Sequence, residues 1–276
     1  MSRHPVLFVS HGAPTAALDR GPYAAALRRF GERLVGEARP AAIAVVSAHW
    51  QVRGPIGVTG TARPETIHDF SGFPEALYRL RYDAPGDPGL AGRIASRLSV
   101  AGLPAVVSPT RGLDHGAWVP LRLALPDASI PVVQVALPAV PAEALIGFGE
   151  ALRPLRDEGV LLVASGGLVH NLGAIDFHHP GAPAAPWAVA FDRWAWERAA
   201  RQDREALARW QGLAPEPARA HPSTDHFDPL LVAVGAAWPG EPAEPIHDAI
   251  AYGSLSLRTF AYRPATAPSR IAHHPQ

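Results

Sequence analysis

The 276-residue chain has no cysteine and a single methionine. Disulfides, thiolate metal sites and a cysteine nucleophile are thereby excluded. Lysine is also missing, so all 25 basic residues are arginine. That removes a Schiff-base lysine and the lysine of a phosphate-binding loop. No G-x-S-x-G elbow of a serine hydrolase occurs either. The 25 acidic residues leave a formal net charge of zero. Without a basic run or a basic–aromatic stripe, no nucleic-acid partner is expected. No apolar run is long enough to span a membrane, and the first apolar run begins at residue 5, which leaves no room for a secretory signal. No membrane association and a cytoplasmic location are therefore expected. The side chains left for catalysis are mainly His, Asp, Glu, Tyr and Ser.

Two short apolar runs end in histidine. Residues 5–10 (PVLFVS) lead into His11 and Gly12, and residues 42–47 (AIAVVS) lead into Ala48, His49 and Trp50. Runs of this length, rich in Val and Ile and closed by turn residues, predict buried strands. Open α/β sheets bind ligands at the carboxyl ends of their strands. Two imidazoles delivered there from adjacent strands could share one metal ion.

Further strands are predicted at 55–59, 132–137, 160–164 and 250–262. Between them, Tyr23, Leu27, Phe30 and Leu34 recur at helical spacing. Asp87 and Pro88 form a helix start, followed by Leu90, Ile94 and Leu98 on one face. Helices are also expected at 141–159, 187–210 and 230–238. The pattern predicts one α/β domain over residues 1–263, with a central mostly parallel or mixed sheet flanked by helices and the metal site at the strand carboxyl ends. Residues 264–276, rich in Pro, Ala, Ser and His, are expected to be a disordered tail.

The irregular stretches 59–74, 108–119, 166–186 and 215–229 hold the remaining distinctive residues, and long loops in compact domains are usually functional or disordered. They include His115 in GLDHGAW, His170 in ASGGLVHN and His226 in STDHFDPLL. A single half-buried histidine is ordinary, but five in glycine-marked or strand-end settings favour a site. His4, His178, His179, His221, His247, His273 and His274 need no function, and His68 is intermediate. Arg53, Arg81, Arg111 and Arg258 are unranked candidates for a substrate carboxylate.

The motifs SHGAPT (10–15), SAHW (47–50), TIHDFSGFPEALYRLRYDAPGDP (66–88), GLDHGAW, VASGGLVHNL, DHFDPLL and YGSLSLRTF occur in this order. Together they resemble the 4,5-DOPA extradiol dioxygenase family, a branch of the class III extradiol ring-cleaving dioxygenases related to the catalytic subunit of protocatechuate 4,5-dioxygenase. The resemblance covers residues 5–262. It implies His11, His49 and His226 as metal ligands, His170 as acid/base and His115 as a second pocket histidine facing substrate. Asp225 and Asp228 flank His226, which leaves a carboxylate third ligand open. The resemblance also puts the loop 66–74 over the site, with His68, Phe70 and Phe73 as substrate-binding residues.

The chemistry implied is that of a non-haem Fe(II) held by three protein ligands on one face, leaving positions for a catechol and O₂. Imidazole, with a pKa near neutrality, suits removal of a catechol proton. The expected substrate is a small DOPA-like catechol or catecholic acid, opened beside the diol with O₂. No organic cofactor is required. Zn²⁺ would suit the same imidazoles, so a zinc-dependent hydrolase and a non-catalytic metal-binding relative are the alternatives. A monomer or small homo-oligomer is expected.

Overall fold

Buried apolar runs build the middle of the sheet. In the computed structural model, residues 3–264 are described, so the predicted tail lies outside the described residues apart from Pro264. The strands are β1 (Val6–Ser10), β2 (Ala42–Val52), β3 (Ile56–Thr59), β4 (Ala105–Ser108), β5 (Val132–Pro138), β6 (Val160–Gly166), β7 (Ala243–His247), β8 (Ile250–Ala251), β9 (Leu255–Ser256) and β10 (Thr259–Tyr262). Eight of them form one sheet in the order β4–β3–β5–β2–β6–β1–β10–β7, and β8 pairs with β9. The four central strands β5, β2, β6 and β1 are mutually parallel. Direction reverses on either side of these four: β3 runs antiparallel to β5, and β10 runs antiparallel to β1. The sheet is therefore mixed.

Side chains alternate across a strand, so each central strand feeds two cores. Leu7, Val9, Ile43, Val45, Leu161 and Val163 share one core with Tyr23, Leu27 and Phe30 of the helix Pro22–Ala38 and with Trp118 of the helix His115–Ala124. Phe8, Ala44, Val46, Leu162 and Ala164 face the other. There they meet the helices Pro88–Val100, Ala142–Leu152, Pro186–Ala200 and Asp228–Ala236. Burial on both faces is why these strands read as unbroken apolar runs.

Several expectations need correction. The strands that carry His11 and His49 are not adjacent, because β6 lies between them and its Ser165 sits opposite both Val9 and Ser47. β2 does not stop at Ser47 but continues to Val52. The helix predicted over 187–210 breaks into Pro186–Ala200, Arg204–Ala208 and Trp210–Leu213, where Gln202 takes a positive φ of 52°. The closing strand over 250–262 splits into β8, β9 and β10, because Tyr252 and Gly253 turn the chain with φ of 53° and 78°. The stretch 108–119 is not all irregular: Asp114 caps a helix that begins at His115.

His4 and His221, read as ordinary, are both buried. His221 Nε2 donates to the Leu168 carbonyl at 2.8 Å. Burial lowers the His221 pKa from 6.5 to about 4. The unfolded chain therefore takes up this proton first, and stability is lost as pH falls from about 6.5 towards 4. His221→Gln, neutral throughout, is expected to lose about 2–3 kcal/mol less than the parent over that interval. Urea unfolding of both proteins across the interval checks it, and identical slopes would contradict it.

Candidate metal centre and active site

His11 follows β1 directly, and Gly12 beside it takes a positive φ of 70° that lets the chain turn over the sheet edge. His49 is aimed by a break in register. While β2 advances from Val46 to Gln51, β5 advances only from Val135 to Leu137. The Ser47 hydroxyl accepts from the His49 backbone N–H at 3.2 Å and donates to Asp114 at 2.8 Å, fixing this irregular segment. His226 precedes the helix Asp228–Ala236 and is held by its carbonyl, which accepts from Gly167 N–H at 2.8 Å. A Cβ on Gly166 would lie 2.3 Å from that carbonyl oxygen, so the close approach requires glycine.

The three imidazoles converge. Their nearest ring nitrogens lie within 4.8 Å of one another, and His11 Nε2 is 3.0 Å from His49 Nε2. Each ring is oriented through its other nitrogen. His11 Nδ1 lies 2.9 Å from Ser165 Oγ, whose own proton goes to the Gly116 carbonyl at 2.5 Å. His226 Nδ1 donates to Asp225 at 2.5 Å, and His49 Nδ1 faces Asp69 at 3.7 Å. With Nδ1 as the protonated nitrogen, each Nε2 presents a lone pair to the shared centre. Lone pairs 3.0 Å apart repel unless a cation lies between them. His226 Nε2 is likewise buried without a hydrogen-bond partner among the described residues.

This donor set fits a metal ion. Bonds of about 2.1 Å at right angles would leave neighbouring donors roughly 3 Å apart. Histidine ligands that hand their second nitrogen to an oxygen are the usual arrangement at such centres. Burial first, and repulsion from the other imidazoles second, holds His11 well below the usual histidine value and His49 at about 2. Both rings are neutral at neutral pH, the form that ligates metal.

Around this centre lies a cavity of about 680 Å³. His115 and His170 line it with the three convergent histidines, as do Asp69, Phe70, Phe73 and Asp225. The His170 ring stacks on His226 with centroids 3.4 Å apart and planes 2° apart. Burial, followed by the neighbouring His226, lowers the His170 pKa to about 3. His115 begins its helix, and its backbone N–H donates to Asp69 at 2.9 Å while Nδ1 lies 3.0 Å from the same oxygen. His49, Asp69 and His115 form a second ligand-like trio, but Asp69 there is engaged with His115.

Of the eight predicted site residues, seven meet at this cavity. His68 does not line it: its Nε2 faces the Leu80 carbonyl at 3.1 Å, and its ring packs near Phe70, Tyr78 and Trp118. Its neighbour Asp69 takes the place facing the imidazoles. Nothing marks Asp69 out among the residue types beyond its place in TIHDFSGFP. The loop is delivered by a bridge between Thr66 and Leu113 and by Trp118 Nε1, which donates to the Ile67 carbonyl at 2.9 Å. Burial raises the Asp69 pKa, but the adjacent His115 outweighs this and brings it to about 2. Asp225 also stays ionised, because His226 outweighs burial and holds it below the usual carboxylate range. Ser165 and Asp225, both unflagged as orienting groups, complete the centre.

Residues 1–256 match the family described as the catalytic LigB subunit of aromatic ring-opening dioxygenase. The chain is 40% identical over 258 residues to the 4,5-DOPA dioxygenase extradiol of Beta vulgaris, covering 92% of this chain and 95% of that one. It is 39% identical over 272 residues to the protein of the same name from Escherichia coli, with 93% of each chain covered. A Hapsidospora irregularis dioxygenase is 35% identical over 261 residues, covering 86% of this chain and 79% of that one. The crystal structure of an uncharacterized protein from Escherichia coli superposes with a TM-score of 0.80 at 34% identity, covering 95% of this chain and all of that one.

Proposed function

We propose, given that this chain belongs to the family of the catalytic LigB subunit of aromatic ring-opening dioxygenases and is an extradiol ring-cleaving dioxygenase, that it uses Fe(II) on His11, His49 and His226 to open a small catechol with O₂. One observation carries the metal assignment: three imidazoles turn Nε2 towards one point while Ser165, Asp69 and Asp225 face their Nδ1 atoms. On this reading the Asp225 carboxylate orients the His226 ring from behind and is not itself a ligand. Asp228 supports this reading, since its carboxylate accepts from Thr224 Oγ1 at 2.9 Å. Bound Fe(II) would supply open positions for both catechol oxygens and O₂, and a path for electrons between them.

The protein groups do the rest. His170 lines the cavity beside a ligand ring, where it can exchange a proton with a bound catechol hydroxyl; the negative charge of the catecholate would raise the pKa that burial and His226 hold down. His115 is held by Asp69, which keeps its ring against the cavity wall as a positioning group for substrate. Phe70 and Phe73, with ring centroids 5.5 Å apart, provide an apolar wall that excludes water and seats an aromatic ring. Among the described residues no helix is long and apolar enough to cross a membrane.

Asp225→Asn is expected to weaken metal binding by about 10–100-fold, because the His226 ring loses the carboxylate that orients it. Competition with a chelator reads this directly, and unchanged affinity would contradict the orienting role. The function itself is tested by anaerobic loading with Fe²⁺ or Zn²⁺ followed by a catechol panel in air. The iron form is expected to consume O₂ and release a ring-opened semialdehyde. The zinc form is expected to bind catechol without O₂ uptake. Oxygen-independent hydrolysis by the zinc form would contradict the reading.

A further inference from the structure

We infer that the turn Asp114–Gly116 is the common support of two metal ligands, and that Asp114 is the positioning residue that anchors it. This rests on the assignment of His11 and His49 as ligands above. The starting observation is Gln134, the one polar side chain in β5 (VVQVALP) and fully buried there. A buried amide needs partners, and both of its ends find them on one residue. Gln134 Oε1 accepts from the Asp114 backbone N–H at 3.2 Å, so Nε2 is the end that donates to the Asp114 carboxylate. Asp114 is itself fully buried. Its carboxylate also accepts from Ser47 Oγ at 2.8 Å, Ala117 N–H at 3.2 Å and Arg111 at 3.4 Å.

The consequence lies in the direction of two serine hydroxyls. Ser47 gives its proton to Asp114, so its oxygen is left to accept from the His49 backbone N–H at 3.2 Å. Two residues along, the Gly116 carbonyl takes the Ser165 proton, so that oxygen is left to accept from His11 Nδ1 at 2.9 Å. Ser47 and Ser165 are register partners on β2 and β6. One turn therefore sets both hydroxyls, one behind each ligand. The turn also sits hard against His49: a Cβ on Gly116 would lie 2.3 Å from Ser47 Oγ and 2.9 Å from His49 Cδ2. An asparagine at position 114 would break this arrangement. Its amide accepts at one end only, where the carboxylate accepts at both. Whichever way it turns, its NH₂ meets donors, either Gln134 and Arg111 or Ser47 and the Ala117 N–H. Adding Gln134→Glu removes the conflict, because the new carboxylate accepts both from the backbone N–H of position 114 and from the new amide.

The test uses Asp114→Asn and the double variant Asp114→Asn/Gln134→Glu. Zn²⁺ affinity by chelator competition and the visible spectrum of the Co²⁺-loaded protein are recorded beside the melting of each metal-free chain. The single variant is expected to bind Zn²⁺ about 10–100-fold more weakly, the range lost with a residue that supports a ligand, and to show an altered Co²⁺ spectrum. The double variant is expected to recover most of the affinity and the parental spectrum. A single variant that melts lower yet keeps parental affinity and spectrum would overturn the inference, since Asp114 would then serve the fold alone. So would a folded double variant that binds as weakly as the single one. Should Asp114→Asn fail to fold, Ser47→Ala cuts the same path beside His49 and must weaken Zn²⁺ binding similarly; unchanged affinity there would overturn the inference. Metal retained by His49→Ala would instead defeat the ligand reading, and this inference with it.

Discussion

Replacing His49 by alanine is expected to remove the bound metal and the ring-opening activity together. Its Nε2 lies 3.0 Å from His11 Nε2, and these two atoms with His226 Nε2 define the centre. Removing one of three donors leaves a two-ligand site. The loss should therefore exceed the roughly 10–100-fold that follows from removing an orienting partner alone. His49 is partly buried in an irregular part of β2, where Ser47 and Asp114 supply the local hydrogen bonds. The fold is expected to survive, with native circular dichroism and a cooperative melt. Metal analysis after dialysis gives the decisive number. A variant that retains one metal per chain would remove His49 from the ligand set.

His170→Ala is expected to lower turnover by about 10²–10⁴-fold while metal stays bound, the range lost with a general acid or base. The ring lies flat on His226, so it is placed beside a ligand rather than in line with it. Alanine removes the stacking contact as well as the proton carrier. His170→Phe separates the two, because it retains an aromatic ring for the stack but carries no proton. Both variants should show reduced kcat and near-parental metal content. Rescue of turnover by His170→Phe would mean that the ring acts by stacking alone. Metal loss comparable to that of His49→Ala would make His170 a ligand.

The central strands were legible because burial on both faces leaves an unbroken apolar signal. Edge strands β4 and β7 carried no such signal: their sequences AVVS and AEPIH are short and lie partly in solvent. The helix His115–Ala124 was hidden for a different reason. It is buried nearly all round and contains Pro120, so it shows neither an amphipathic stripe nor a clean helical composition. The overruns at 187–210 and 250–262 came from positive-φ turns at Gln202 and Tyr252, side chains that rarely mark such a conformation.

The histidines of the site could be picked out because strand ends and glycine-marked loops frame them. Their partners could not. Asp69 gains its position only when the loop 59–74 crosses to Leu113 and the start of the following helix. Ser165 is one small residue at the end of β6, and its relation to His11 depends on β6 lying between β1 and β2. His68 shows the converse: adjacent to Asp69 in sequence, it turns to the Leu80 carbonyl instead. Alternation along an irregular loop is not readable from residue types.

The most direct test is a crystal structure of the iron-loaded protein, with anomalous scattering recorded at the iron edge. The account predicts one peak per chain about 2.0–2.3 Å from Nε2 of His11, His49 and His226, with Asp69, Asp225, His115 and His170 outside bonding distance. A peak bonded to Asp69 or Asp225, or one centred on His49, Asp69 and His115, would contradict it.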